Sequence, residues 1–449
     1  MTDMAAHARR VVSGVAKRGS GAEHVSAAKR DSAVRRGRVR HRKARNSSIE
    51  LLRIIAMLMI VTSHCVLYTD LNVLTMRFGV NKVLIETFLY SGGKIGVVAF
   101  FAISAWFLSD KGGVRAGFRR VWILEREILF WSLTLFAIAV VSDRSQMTAS
   151  LGVRSLLPVI TALWWYPTAY AVFLLMFPFV AKGLRSFGEQ MHRTLCILMF
   201  VLWTALDMLM PLSGVGLPGG NWLSFVYIYT LISFYKWYMR PLRRATAWWM
   251  LLVGYGLLAA EAVAGGVLFA RTGKLGVLQV YLSRAEFRLP VLMIGFALFV
   301  LAERRTFHSG LINAVAASTF GVYLISEYPF MRSRIWGSQW IDFSRLTGAA
   351  DSGDAAGATG AAGSPLLIVA IIGASIAVFA VCAVFDQIRE LLFRLTIDRN
   401  RGKWFDALWN GVGGLKAMRN DIDDTGAKDM MRSDSDRNDL NMARNGRMR

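Results

Sequence analysis

The sequence predicts an all-α, polytopic integral membrane protein with about ten transmembrane helices. Of its 449 residues, 54% are hydrophobic and only 18% are charged, and the mean hydropathy is +0.41. In soluble domains about a quarter of the residues are charged. The 14 Trp and 27 Phe suit lipid-facing surfaces and interfacial belts better than one compact core. Apolar runs of about 20 residues, the length that crosses a bilayer, also recur along the chain.

The positive charge is concentrated at the start of the chain. Residues 1–46 contain 13 Lys or Arg and three acidic residues, densest in RRGRVRHRKAR. Low hydrophobicity and high charge predict a disordered basic arm, and the lack of an apolar run before Ile49 excludes a secretory signal peptide. Contact with anionic lipid or nucleic acid is one interpretation of the arm. We favour a solvated tail that fixes orientation, with no nucleic-acid partner.

Ten segments are apolar enough to be predicted spans. An even number of spans places both termini on one side of the membrane, and the basic arm indicates the cytoplasm because basic residues favour that side. The predicted spans cover residues 49–68, 92–109, 122–142, 160–181, 194–212, 222–239, 247–270, 289–303, 311–330 and 365–387.

The sequence divides into an arm (1–46), a membrane domain (47–397) and a polar cytoplasmic tail (398–449). The longest predicted external connection runs from 332 to 365 and contains TGAADSGDAAGATGAAGS, which is typical of a flexible loop. The tail has nearly balanced charge, and we expect it to be disordered. Since the three cysteines lack metal-ligand spacing, neither a structural zinc nor a disulfide framework is predicted.

The first span carries a polar stripe, within ELLRIIAMLMIVTSH. Arg53 and His64 are eleven residues apart, so they share one helix face at an axial separation of about 16 Å. Glu50 precedes Arg53 by three residues and can pair with it. A charged stripe in a membrane helix must face protein or water, because lipid cannot satisfy it.

The chemistry of these two side chains suggests what the stripe binds. Arginine suits phosphate recognition, and histidine suits general-base work on a hydroxyl group. Coenzyme A has a matching shape, with phosphates at one end and a thioester at the end of a long arm. A structural histidine bonded to a neighbouring helix is an equally open interpretation of His64.

Four stretches, in this order, resemble membrane acyltransferase family 3. Glu50-Leu-Leu-Arg53 followed by an apolar run and His64 resembles the first-helix signature of that family. The second and third stretches are GGKIGVVAFFAISAWFL (92–108) and WWYPTAYAVFLLMFPF (164–179). The fourth, FGVYLISEYPFMR (320–332), retains Tyr323 and Glu327 but has Ser326 where a histidine is common.

The resemblance implies a ten-helix acyltransferase that transfers an acetyl or other short acyl group from acetyl-CoA to a cell-surface carbohydrate. In this interpretation His64 acts as general base or carries the acyl group transiently. Arg53 holds the phosphates of the acyl donor, Glu50 orients Arg53, and no metal is implied. Arg126, beside two glutamates in the third span, contacts a donor phosphate or pairs with those neighbours.

We assign Trp165, Tyr323 and Glu327 to acceptor binding, although packing or placement in an interfacial belt is the favoured explanation for any single aromatic residue. Asp207 and Glu261 lie within spans, so each must face a cavity or a partner. A transporter or flippase for a glycan or lipid intermediate is the alternative function, since it also keeps a polar stripe inside a helix bundle.

Overall fold

The computed structural model falls into two units, Met1–Arg45 and Asn46–Arg449. It describes residues 46–110, 113–209, 219–274, 276–337, 343, 365–396 and 403–411, all of which belong to the second unit. The predicted basic arm and the Gly/Ala-rich tract of the 332–365 connection therefore lie outside the described residues.

All regular secondary structure in the described residues is helical, as the sequence predicts. The helices Val80–Leu108 and Gly188–Met208 contain π-helical segments at Ile85–Tyr90 and Val201–Ala205, respectively. The helices are α1 (Ser47–Tyr68), α2 (Val80–Leu108), α3 (Val114–Ser142), α4 (Ala149–Leu156), α5 (Trp165–Ser186), α6 (Gly188–Met208), α7 (Trp222–Tyr238), α8 (Arg244–Thr272), α9 (Leu289–Glu303), α10 (Gly310–Ser326), α11 (Pro329–Trp336), α12 (Pro365–Leu395) and α13 (Lys403–Gly411).

Each of the ten predicted spans overlaps one of these helices, but fewer than ten have the length and apolarity of a span. Within the described residues six helices do, or seven if α10 and α11 are counted as one bent span. Helices α7 and α9 have only 17 and 15 residues, which is short for a hydrocarbon layer of about 30 Å. Helix α3 is long enough but carries Glu125, Arg126 and Glu127 in its middle.

Helix α1 is the centre of the bundle, where it packs against α2, α9, α10, α11 and α12. Its start is fixed by Asn46, whose Oδ1 accepts a hydrogen bond from the Ser48 N–H at 3.1 Å while its Nδ2 donates to the Arg305 carbonyl at 2.8 Å. Helix α2 approaches α1 closely at Gly96, since a Cβ there would lie 2.9 Å from Ile60 Cγ1. Small residues permit such close packing of membrane helices.

The predicted ninth span is not one straight helix. Helix α10 ends at Ser326, and α11 begins at Pro329 after a bend of 90°. Proline lacks an N–H group and disfavours helical geometry in the residue before it, so Tyr328 takes an extended conformation (φ −64°, ψ 131°). The bend leaves Glu327 at the break between two helices inside the bundle.

The tail is more ordered than its composition suggests, because α13 lies within it. Residues Lys403–Gly411 form this helix, in which Phe405 and Trp409 are buried. The expectation of disorder is therefore wrong for 403–411; the rest of the predicted tail lies outside the described residues.

Candidate active site

The polar stripe of α1 begins with an ion pair. Arg53 Nη1 lies 3.4 Å from Glu50 Oε2. Glu50 is buried, whereas the Arg53 side chain is about one third exposed, at 32%. A carboxylate held one turn before the arginine restricts the guanidinium while leaving part of it free for another anion.

His64 faces the bend between α10 and α11. Its Nδ1 lies 3.0 Å from Glu327 Oε1, and both side chains are largely buried, at 14% and 8% exposed. The two atoms are in contact, but neither has a partner that satisfies hydrogen-bond geometry. A carboxylate on Nδ1 favours the tautomer whose Nε2 is free to accept a proton.

Two further side chains surround the Glu327 carboxylate. The Tyr68 hydroxyl donates to Glu327 Oε2 at 3.3 Å. Arg332, on α11, places its guanidinium 4.7 Å from the centre of the Tyr68 ring and its Nη1 3.9 Å from Glu327 Oε2. The Arg332 side chain is 40% exposed, so a cation lies partly open beside the buried histidine and carboxylate.

Tyrosines occupy the space between the two ends of the stripe. Arg53 interacts electrostatically with Tyr166 and Tyr170. The rings of Tyr166 and Tyr323 are 6.1 Å apart, and the Tyr323 ring is 6.3 Å from the His64 ring. A continuous row of polar and aromatic side chains therefore connects Arg53 to His64 through the bundle.

A second arginine close to this row is Arg120. Arg120 interacts electrostatically with Tyr170, as Arg53 does, and its guanidinium lies 5.9 Å from the Phe177 ring. Arg126 interacts with the adjacent Glu127, as the local sequence suggests. The position of Arg120 within α3 favours a role in the site.

Trp165 lies beside a separate charged pair. Lys94 Nζ is 4.7 Å from the Trp165 ring and 3.0 Å from Glu286 Oε2, and the Gly220 N–H donates to Glu286 Oε1 at 2.7 Å. Burial alone would raise the pKa of Glu286, but Lys94 and the backbone N–H groups hold that pKa below its ordinary value. Trp165 is a neighbour of Tyr166 in sequence, with ring centroids 5.7 Å apart, and so borders the row without belonging to it.

The two other acidic residues found within predicted spans both have partners. Asp207 Oδ2 lies 2.9 Å from Arg288 Nε, and the Tyr281 hydroxyl donates to the Asp207 carbonyl at 2.8 Å. Glu261 Oε1 accepts the Leu282 N–H at 2.6 Å. These contacts hold the segment between α8 and α9, so both carboxylates have structural roles.

Sequence reasoning did not identify Tyr68, Tyr166 or Arg332 as members of the site. Tyr68 follows His64 by four residues, one helical turn, so that spacing was a usable signal. Arg332 stands at the end of the fourth family-like stretch, but only the bend at Pro329 turns it toward α1. Tyr166 is a member of a Trp- and Tyr-rich run, in which composition alone does not single it out.

Comparison with known proteins identifies the chain at the level of a family. The family model described as an acyltransferase domain, that of acyltransferase family 3, matches residues 46–385. This range covers α1 to most of α12 and contains every side chain of the row. No curated protein and no solved structure matches the sequence.

Proposed function

The chain belongs to acyltransferase family 3, and from this premise we propose that it transfers an acetyl or other short acyl group from acyl-coenzyme A to a hydroxyl group of a cell-surface carbohydrate. The family supports the acyltransferase activity and the multi-pass membrane setting. We propose the identities of the acyl donor and the acceptor, and the geometry of the row from Arg53 to His64 supports this choice.

The acyl donor enters at the Arg53 end. Arg53 and Arg120 both interact electrostatically with Tyr170, and we assign both guanidinium groups to the phosphates of the donor. Guanidinium groups bind phosphate oxygens in a bidentate fashion. Glu50 orients Arg53 from the preceding turn. The pantetheine arm then extends past Tyr166 and Tyr323 toward His64, over an axial distance of about 16 Å.

The reaction takes place at His64. Its Nε2 accepts the proton of the acceptor hydroxyl as the hydroxyl oxygen attacks the thioester carbonyl carbon. The tetrahedral intermediate collapses, the carbon–sulfur bond breaks, and the coenzyme A thiolate leaves with the proton that His64 returns. Glu327, 3.0 Å from Nδ1, keeps the ring in place and stabilises the imidazolium. In the variant mechanism His64 Nε2 itself carries the acyl group before the acceptor arrives.

The acceptor approaches from the Glu327 end. Arg332 and Tyr68 are partly exposed there, at 40% for each, and Trp165 offers an aromatic surface next to Tyr166. Under the arrangement with both termini in the cytoplasm, this end opens to the outside and the Arg53 end opens to the cytoplasm. Acyl-CoA and a surface glycan would thus reach one histidine from opposite sides.

The contact between His64 and Glu327 is the single observation that carries the proposal. Helices α1 and α10 place a general base and its orienting carboxylate together inside an apolar bundle, which binding alone does not require. A transporter needs a polar passage but no activated histidine.

The proposal is tested with the purified full-length protein in phospholipid vesicles, supplied with acetyl-labelled acetyl-CoA. Mass spectrometry of surface glycans from cells with and without the gene identifies the acceptor. We expect donor consumption by the protein and glycan acylation only when the gene is present. Well-inserted protein that neither consumes acetyl-CoA nor changes any glycan would refute the proposal.

A further inference from the structure

Helix α13 has two apolar faces, of which only one is covered. Phe405 and Trp409 are buried and form a small cluster with Val114 at the start of α3. The Trp409 ring lies 5.6 Å from the ring of Phe118. Trp404 and Leu408, by contrast, are 72% and 54% exposed.

Helix geometry makes each of these pairs a stripe. Residues four apart lie about one turn apart, and neighbours differ by about 100°, so the 404/408 stripe is turned away from the 405/409 stripe. An ion pair between Asp406 and Arg115 of α3 fixes the rotation of the helix. Lys403 is exposed and lies on the polar side that remains.

Helix α13 lies next to exposed aromatic residues of α3 that are typical of the edge of a membrane domain. Phe118 and Trp122 of α3 are exposed aromatic residues, typical of a membrane–water boundary, and Trp122 is only about 6 Å further along α3 than Phe118. Helix α12 contacts α3 further along, about 18 Å from Phe118, where the ring centroids of Phe393 and Phe130 are 5.4 Å apart, and it ends at Leu395 with that leucine exposed.

We propose that α13 is an interfacial helix that inserts Trp404 and Leu408 into the headgroup region of the bilayer while Phe405 and Trp409 hold it on α3. An amphipathic helix with Trp and Leu on its apolar face binds in the plane of the interface, about 5–10 Å deep. Lys403 beside that face suits anionic headgroups. The exposed aromatic residues of α3 beside α13, Phe118 and Trp122, identify the partner as lipid.

This binding has a structural consequence for α3. The helix contacts the first turns of α3 on one side and the headgroups on the other, so it holds the end of α3 that leads to Arg120. The proposal does not rest on the proposed function, because its test measures contact of α13 with lipid and not acyl transfer.

The test uses single cysteine variants of the full-length protein. All three native cysteines are buried, so Trp404→Cys provides an accessible thiol for an environment-sensitive NBD probe. The labelled protein is reconstituted in vesicles of phosphatidylcholine and phosphatidylglycerol. Lys403→Cys, one residue away on the polar side, is the matched control, and Leu408→Cys is a second probe of the apolar stripe.

We expect the labels at 404 and 408 to emit at shorter wavelength than the label at 403 and to be quenched by lipids with a spin label near the headgroup. The label at 403 should instead be quenched by aqueous iodide. Equal iodide quenching at 403, 404 and 408 would overturn the proposal, since α13 would then face water. Protection from iodide without quenching by lipid would also overturn it, because a second protein surface would then cover the stripe.

Discussion

His64 on α1 and Glu327 at the α10–α11 bend contact each other across the bundle, with Nδ1 and Oε1 3.0 Å apart. Tyr68, one turn after His64, donates a hydrogen bond to the other oxygen of the same carboxylate. A histidine oriented by a buried carboxylate is the arrangement that makes imidazole an effective general base. The first three predictions concern this pair and Arg53, the residue assigned to the acyl donor.

Glu327→Gln keeps the shape of the side chain but removes its charge. Without that charge the imidazolium formed during proton transfer is less stable, and we expect kcat to fall by roughly 10²–10⁴. The measurement is the rate of acyl transfer as a function of pH, because a purely structural role for Glu327 would not change the pH profile. Tyr68→Phe, which removes a hydroxyl that donates to Glu327 and accepts from Arg332 but leaves both charges in place, should have a much smaller effect. An unchanged rate in Glu327→Gln would show that the carboxylate does not assist His64.

His64→Ala separates chemistry from binding of the acyl donor. Removing a general base costs on the order of 10²–10⁴ in rate, whereas Arg53 lies about 16 Å away along the helix and keeps its ligand contacts. We therefore expect a variant that inserts normally and binds coenzyme A but leaves the acceptor unmodified. Binding is measured by calorimetry with coenzyme A, and acylation by mass spectrometry. Normal acylation by a well-expressed His64→Ala protein would end the catalytic interpretation.

Arg53→Lys tests recognition of the donor phosphates. Lysine retains the charge but loses the planar fork, so the apparent affinity for acetyl-CoA should fall about tenfold, the equivalent of one charge-assisted hydrogen bond. Arg334→Lys is the control, since Arg334 is similarly exposed and pairs with Asp143, 3.0 Å away, on a different part of the protein. If Arg53→Lys binds acetyl-CoA like the wild type and Arg53→Ala only unfolds the protein, Arg53 is structural.

The sequence was sufficient to predict helices in its ten long apolar runs but not their arrangement. Hydropathy predicted 289–303 with the bounds that the structure has for α9, because apolarity is a local property. The contact of His64 with Glu327 joins residues distant in sequence and depends on the bend before Pro329. Pro329 itself was visible in the sequence, yet an apolar run extending to Phe330 hid its effect.

Charged residues illustrate a second limit of sequence reasoning. Arg126 in a predicted span attracted a functional interpretation, while Arg120 in a basic loop did not, because position relative to a span was the only guide. In the structure α3 starts at Val114, so Arg120 already lies inside the helix and reaches Tyr170. Helix α13 was missed for a related reason: the composition of the whole tail conceals a nine-residue amphipathic pattern.

The orientation of the chain in the membrane gives the fourth prediction. A reporter fused after residue 449 should be cytoplasmic, and one inserted in the 347–363 segment should be external, if the basic arm determines orientation and ten segments cross. Alkaline phosphatase and green fluorescent protein fusions distinguish the two sides. A cytoplasmic reporter in the 347–363 segment would contradict the ten-span arrangement and would favour one of the smaller numbers that helix length alone supports.

The last prediction concerns Gly321 of α10, whose backbone packs directly against the side chain of Asp386 of α12. A Cβ at Gly321 would overlap the Asp386 carboxylate and lie 2.8 Å from its Cβ. Asp386 is fully buried and is held by Arg389 Nε at 2.7 Å and by Trp131 Nε1 at 2.9 Å. Gly321→Ala must displace this carboxylate, and breaking such a buried pair costs about 3–5 kcal/mol.

Gly373→Ala in α12 is the matched control, because a Cβ there meets nothing within 4 Å and alanine is the better helix former by about 1 kcal/mol. The thermal midpoint of unfolding, followed with a thiol-reactive dye that reports exposure of the three buried cysteines, should fall in Gly321→Ala and stay level or rise in Gly373→Ala. Since helix propensity favours alanine at both positions, opposite shifts isolate the contact with Asp386. Equal midpoints in the two variants would show that α10 and α12 separate enough at this point to accept a methyl group.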